Sequence, residues 1–366
     1  MTPREIIQKA IRFQRPPRLP VTMGCFGVSD VGGIPVKRPA SFKPACEGAD
    51  EWGCVWAHTE VKNMGQVKGN PLADIRKLDK HPVPDYTDDT RYVDVEATLA
   101  KLEAEGKYVM CGIFMVLFER MHTLHGFENT LVDLYEDRPA MEALADRIAD
   151  VHIGFVNEVA RRFPGRVDGW NMSDDWGTQT AAFVSADLWM DFFLPRYKRI
   201  FDAMHAPFQP RPNTNTAKCG QQVGTVHAAG CDVWVHSCGK VNEIIEGYIR
   251  AGVNVVNLQQ PRALGIAQVG DRYRGRITFQ SLADIQSTLP TGDRRQIDDD
   301  AKRLMRHWAS PAGGFIFSDY GDDVGIGVRD PGTKLYMYQQ FSRWSEKLYG
   351  QPLPEPIVPK AIQTPR

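Results

Sequence analysis

His236 and Cys238 stand two positions apart in His236-Ser237-Cys238-Gly239. The run 231–236 is β-rich, and alternate residues of a strand share a face, so Asp232, Trp234, His236 and Cys238 point one way and Val233 and Val235 the other. Imidazole and thiolate then converge at a strand's C-terminal end, a soft pair suited to zinc. A satisfied histidine beside a buried thiol is the everyday alternative. Asp174-Asp175-Trp176-Gly177-Thr178-Gln179 follows another β-rich run in the same topological position. Adjacent carboxylates there can hold a cation, bind a substrate or serve as acid and base, and capping the next helix is the competing role.

Other strand ends carry polar groups that could line a pocket. Gln259-Gln260-Pro261 and Gln280-Ser281 end the next two runs, and their amides suit pocket contacts or ordinary loop bonding. Ser318-Asp319-Tyr320-Gly321-Asp322-Asp323 ends the last and leads to Gly325-Ile326-Gly327, which is not a strict phosphate fingerprint. Upstream, Asp30 closes Gly27-Val28-Ser29-Asp30, and the segment from Asp50 to Trp56 sets acids beside aromatics, with Trp52 at its centre. His122 and His125 fall three apart on one helical face, as fitting for a core or surface pair as for a metal.

These residues need a scaffold that gathers strand ends. From about 165 the chain alternates short β-rich runs (166–173, 231–236, 253–258, 276–279 and 314–317) with helical stretches near 186–204, 241–249, 295–308 and 331–347. That alternation is the pattern of a parallel sheet with crossover helices. The first half adds weaker strand candidates at 18–23 and 107–113. No glycine fingerprint follows a first strand, so eight strands closing into a barrel fit better than an open doubly wound sheet. Segment 207–230 interrupts what should be a short helix-to-strand connection and reads as an insertion on the barrel's N-terminal face. The expected organisation is one barrel over 1–350, with an N-terminal extension, followed by a proline-rich, extended and mobile tail over 351–366.

The 366 residues carry 44 Lys+Arg against 45 Asp+Glu, and 42% are hydrophobic. So even a balance removes the counterion-release drive of nucleic-acid binders. The longest apolar run, 108–118, is far short of a bilayer span, and charges sit where a secretory signal would be apolar. Seven cysteines in a chain too large to need staples point to reduced thiols in a cytoplasm.

The order of Asp-Asp-Trp-Gly-Thr-Gln at 174–179, the aromatic stretch 189–197, His236-Ser-Cys-Gly and Gly252-Val-Asn-Val-Val-Asn resembles the uroporphyrinogen decarboxylase superfamily. The resemblance spans most of 1–347 outside the insertion. It implies a single (β/α)8 barrel of mixed α/β class with its pocket at the C-terminal mouth, and commonly a homodimer. It also implies one of two chemistries. True decarboxylases in the superfamily carry an arginine-rich N-terminal loop, but the matching residues 23–30 hold no arginine. Zinc methyltransferases working with corrinoid proteins or thiols use His-x-Cys with a distant cysteine at the last strand; His236 and Cys238 match, while no cysteine stands near Gly321.

The expectation drawn from residues and resemblance together is a methyltransferase moving a methyl group between a small methylated substrate and a corrinoid protein or related carrier. His236 and Cys238 would bind zinc, with Asp319, Gln260 or a residue the sequence does not identify replacing the missing third ligand, or with low metal affinity in its absence. Asp175, Asp174 and Asp30 would be catalytic, and Gln179, Gln260, Gln280, Trp52 and Asp319 would contact substrate. A decarboxylase or lyase built on Asp30, Asp174 and Asp175 is the runner-up, and a non-catalytic binding protein on a barrel scaffold is the alternative from another class.

Overall fold

The computed structural model describes residues 1–57, 65–206, 230–330 and 332–358. Its strands are β1 (Val21–Met23), β2 (Val28–Ser29), β3 (Val31–Gly33), β4 (Val55–Ala57), β5 (Gln66–Gly69), β6 (Tyr108–Ile113), β7 (Gly169–Ser173), β8 (Asp232–His236), β9 (Val255–Asn257), β10 (Thr278–Ser281) and β11 (Phe315–Ser318). Hydrogen bonding orders the main sheet β2-β1-β11-β10-β9-β8-β7-β6-β3. Every ladder in it is parallel except the β1–β2 hairpin. Asp30 draws the two ends together, its N–H donating to Val21 O at 2.7 Å and its carbonyl accepting from Tyr108 N at 2.9 Å. The eight parallel strands β1, β3 and β6 to β11 thus form a nearly closed barrel, while β4 and β5 pair as a separate hairpin.

The helices are α1 (Pro3–Ile11), α2 (Val95–Ala104), α3 (Phe118–His125), α4 (Phe127–Glu136), α5 (Arg138–Arg162), α6 (Ala186–Leu188), α7 (Leu194–His205), α8 (Ile245–Ala251), α9 (Pro261–Leu264), α10 (Ile266–Tyr273), α11 (Arg294–His307) and α12 (Gly332–Tyr349). A π turn at Trp189–Phe193 joins α6 to α7. Pro195 follows it after Leu194; having no N–H to donate and a ring that crowds the carbonyl four residues back, it favours a widened turn.

Period-two alternation divides the side chains of the strands between two cores. Val109, Cys111 and Ile113 of β6 pack outward under the helices. Tyr108 and Met110 turn inward and meet Trp234, Val255 and Ile316, with Ile7 and Ile11 of α1 among them. The N-terminal extension is therefore a plug in the barrel's lower end. Arg4–Asp168 at 2.6 Å and Arg12–Asp232 at 3.0 Å fasten it.

Seven barrel strands fall within a few residues of the runs read from the sequence, but β3 was not anticipated. Val31-Gly32-Gly33 offers two glycines where a strand signal needs β-branched side chains. At Gly32 a Cβ would overlap the Leu102 side chain of α2, which packs close against this strand. The helix expected from 241 instead begins at Ile245, although Val241, Ile244, Ile245 and Tyr248 are all buried as its apolar face requires.

Residues 207–229, nearly all of the expected insertion, lie outside the described residues. The ends that bracket them already touch, with Cys231 N donating to Met204 O at 3.0 Å. The tail corrects its expectation of mobility as far as residue 358. Leu353 is buried and its N–H donates to Ser342 Oγ at 3.1 Å, and Ile357 N donates to Phe26 O at 2.9 Å. Among the described residues no helix is long and apolar enough to cross a membrane.

Candidate metal centre at the barrel mouth

Strand register sets the site. Ser173 of β7 pairs with His236 of β8, His236 with Asn257 of β9, and Asn257 with Gln280 of β10, so four polar residues share one level near the C-terminal ends. All four line a mouth cavity of about 710 Å3. Above them the loops after β7 and β8 bring in Asp175 and Cys238. His236 Nε2 lies 3.3 Å from Cys238 Sγ and 3.5 Å from Asp175 Oδ1. Nitrogen, sulfur and oxygen ligand atoms of Asp175, His236 and Cys238 all fall within 4.8 Å of one another.

This donor set fits a zinc-type ion in both composition and orientation. His236 Nδ1 lies 2.6 Å from Asn257 Oδ1. An amide oxygen can only accept, so Nδ1 carries the proton and the Nε2 lone pair turns toward Asp175 and Cys238. Cys238 N also donates to Asp175 Oδ1 at 2.8 Å, which fixes the carboxylate beside the thiol. Burial, with the Asp175 carboxylate adding to it, raises the Cys238 thiol well above its ordinary pKa.

Two glycines let these loops approach. Gly239 adopts φ +79°, and a Cβ on it would overlap the carbonyl oxygen of Gly177. A Cβ on Gly177 would stand 2.7 Å from Lys240 N and 2.9 Å from Cys238 O. Their contact permits the Lys240 N to Thr178 O bond at 2.8 Å that ties the loops together. Gly239→Ala is therefore expected to weaken zinc binding about tenfold, because strain and overlap both push Cys238 away from Asp175. Competition with a zinc chelator measures it, and unaltered zinc affinity would show that the glycine pair does not set the triad.

The remaining sequence candidates divide into neighbours and non-participants. Gln260 Oε1 accepts from Gly239 N at 2.9 Å and from Gln179 Nε2 at 3.4 Å, so these two amides brace the ligand loop instead of supplying a ligand. Gln280 lines the cavity and donates to Thr22 Oγ1 at 2.8 Å. Asp319 also lines it, but Lys334 holds its carboxylate at 2.7 Å, and it is Asp175 that lies with His236 and Cys238.

Asp174 and Asp30 were expected to be catalytic, and their surroundings correct this. Asp174 is fully buried, and its carboxylate accepts from the backbone N–H groups of Leu117, Phe118 and Glu119 and from Tyr197. Burial pushes its pKa up to about 7 against those donors. Asp30 sits at the N-terminal ends of the strands, opposite the mouth, where Arg18 grips both its oxygens at 2.6 and 2.8 Å. Trp52, expected at the substrate, is 6% exposed and lines a second cavity that adjoins the mouth. His125 is occupied by Leu72 O and Asp133, and among the described residues neither it nor His122 belongs to a group of potential metal ligands.

Asn257 and Glu119 are the functional neighbours that sequence reasoning did not assign. Asn257 ends β9 inside the quoted Gly252-Val-Asn-Val-Val-Asn motif, so register against His236 could have found it. Glu119 approaches the site from α3, accepting from Ser173 Oγ at 3.1 Å, and no local pattern marks it. Burial, with the charges of Asp174 and Asp175 behind it, raises Glu119 to about 8.

An eight-stranded parallel barrel with N, S and O ligand atoms gathered at its C-terminal mouth defines a barrel protein with a candidate metal centre. The chain belongs to the uroporphyrinogen decarboxylase (URO-D) family, whose model matches residues 58–321. No curated protein matches the sequence. Among solved structures, a methyltransferase from Methanosarcina mazei superposes with TM-score 0.64 at 14% identity, covering 95% of this chain and 99% of that one, and so shares the fold. A mutant xylanase A of P fluorescens subsp. cellulosa with bound xylopentaose reaches TM-score 0.33 at 10% identity, over 64% of this chain and 72% of that one, too weak a likeness to bear on the fold.

Proposed function

We propose that the protein is a zinc-dependent methyltransferase that moves a methyl group from a small methylated substrate to a corrinoid carried by a partner protein. The observation that carries this reading is the Asp175, His236 and Cys238 group, with Asn257 fixing the histidine tautomer, at the mouth of a barrel. The M. mazei neighbour, itself a methyltransferase, agrees with it. The decarboxylase reading is disfavoured because residues 23–30 hold no arginine and, among the described residues, no arginine or lysine lines the mouth cavity itself.

When bound, zinc supplies Lewis-acid polarisation of the heteroatom that bears the methyl group. His236, Cys238 and Asp175 would hold it, and Asn257 would keep the imidazole lone pair aimed at it. Ser173, Asn171 and Gln280 line the cavity beside the triad and would orient the substrate through hydrogen bonds. A corrinoid protein would dock over the open mouth, where the methyl group is presented.

Protein purified after zinc supplementation is expected to hold about one zinc per chain, and the His236→Ala/Cys238→Ala double variant essentially none. Elemental analysis decides this, and stoichiometric zinc in the double variant would place the metal elsewhere. The function itself is tested by methylcobalamin formation from methoxylated, methylamine and methylthiol compounds with reduced corrinoid. Carbon dioxide release from a carboxylated substrate, with no methyl transfer from any compound, would replace this reading with the decarboxylase one.

A further inference from the structure

A second cavity of about 300 Å3 adjoins the mouth across the end of β6, the two sharing Gly112, Ile113 and Phe114 in their linings. Its walls are aromatic. Trp52, Trp56, Tyr86, Phe114 and Phe155 line it, with Trp56 and Phe114 rings 6.4 Å apart and Tyr86 stacked on Phe155 at 4.2 Å. Such a lining selects a flat, apolar body.

Two buried polar side chains face this space with bonding capacity unspent. Arg120 is 4% exposed and lies over the Trp52 ring at 5.0 Å, yet its guanidinium reaches Asp50 Oδ2 only at 3.4 Å, Phe114 O at 3.5 Å and Cys54 Sγ at 4.0 Å, all at the outer edge of hydrogen bonding, and its Nε has no partner. Asp50 is committed elsewhere, accepting from Trp52 N and Cys54 N at 2.9 Å and from Trp56 Nε1 at 3.0 Å. Arg91 in the same wall provides the contrast, closed off by Glu51, Lys37 O and Asp85 O. His152 is 1% exposed, and its ring nitrogens make no well-aligned hydrogen bond, the Val116 backbone being their one polar neighbour. Burial drives its pKa down to about 3, so the ring is neutral, with one N–H to give and one lone pair to offer.

Buried polar groups left unpaired are costly, so their concentration in one aromatic chamber signals a ligand that completes them. A loosely held, planar guanidinium is matched by a carboxylate. Arg38 at the chamber's edge adds positive charge to the approach, Lys37 beside it being paired with Asp94. We infer that this chamber binds an aromatic carboxylate, its ring between the aromatic walls and its carboxylate on Arg120 with His152 beside it. The inference rests on the methyltransferase reading only in making that ring the body of the methylated substrate; the chamber's ligand chemistry stands without it.

Calorimetric titration of metal-stripped protein with benzoate, benzamide and cyclohexanecarboxylate tests it, since chelation removes any carboxylate–metal contact. Benzoate is expected to bind, with the uncharged amide and the non-aromatic acid each at least tenfold weaker. Arg120→Gln is expected to weaken benzoate at least tenfold; should that variant not fold, half-buried Trp56→Leu is expected to do the same. Absence of heat from benzoate at millimolar concentration, equal binding of benzamide, or unchanged benzoate affinity in the folded variants would each overturn the site. A failure of methyl transfer in the corrinoid assay leaves these titrations unaffected, so the two readings fail separately.

Discussion

Cys238→Ala is expected to lose zinc and methyl transfer together, by a hundredfold or more in rate, about 2.7 kcal/mol in barrier. Cys238 supplies the only sulfur of the triad, 3.3 Å from His236 Nε2, and without it one imidazole and one carboxylate remain. Two ligands hold zinc poorly where structural and catalytic sites use three or four. Asp175→Asn keeps an oxygen donor but removes its charge, and is expected to cost at least tenfold, about 1.4 kcal/mol. Neither change should unfold the barrel, because both side chains stand at the mouth and are only partly buried. Methylcobalamin formation at saturating substrate, alongside zinc content and thermal melting, checks all three points. Wild-type rates in both variants would remove the triad from the chemistry.

The fold was legible wherever a strand or helix carried its own period, and the site wherever its members shared a strand. His236 and Cys238 are two apart on and just beyond β8, so strand alternation alone put them on one face. Asp175 was visible as an acid at a strand end, but its place as third ligand depends on how closely the loops after β7 and β8 approach. That depends on Gly177 and Gly239, whose meaning appears only when their backbones touch. Asp319 occupied the expected position at the last strand and was diverted by Lys334, which arrives from α12. Asp30 was misjudged because the chain turns back through β2 before β3 rises, leaving it at the wrong end of the barrel. Long-range register is not written in any local window, and β3 shows the limit: two of its three residues are glycine.

Asp174→Ala should separate fold from chemistry in the acidic pair, lowering unfolding free energy by about 3–5 kcal/mol while sparing the zinc site of the folded fraction. Helix α3 has no side-chain cap of its own at Leu117. Asp174 supplies one from the end of the neighbouring strand β7, accepting from Leu117 N at 3.1 Å, Phe118 N at 2.9 Å and Glu119 N at 2.7 Å, and from the Tyr197 hydroxyl. These are first-turn donors that the helix cannot satisfy internally, and they are buried. Alanine strands all of them at once, whereas asparagine keeps one acceptor oxygen and should cost roughly half as much. The same oxygens are enclosed by four donors, which leaves them committed to the cap. Its neighbour Asp175 behaves in the opposite sense, half-exposed and bonded to the Cys238 backbone. Denaturant unfolding and zinc titration of the two variants should therefore cross: Asp174→Ala unstable with zinc affinity retained, Asp175→Asn stable with zinc affinity lost. An Asp174→Ala protein as stable as wild type but catalytically dead would return that carboxylate to the reaction.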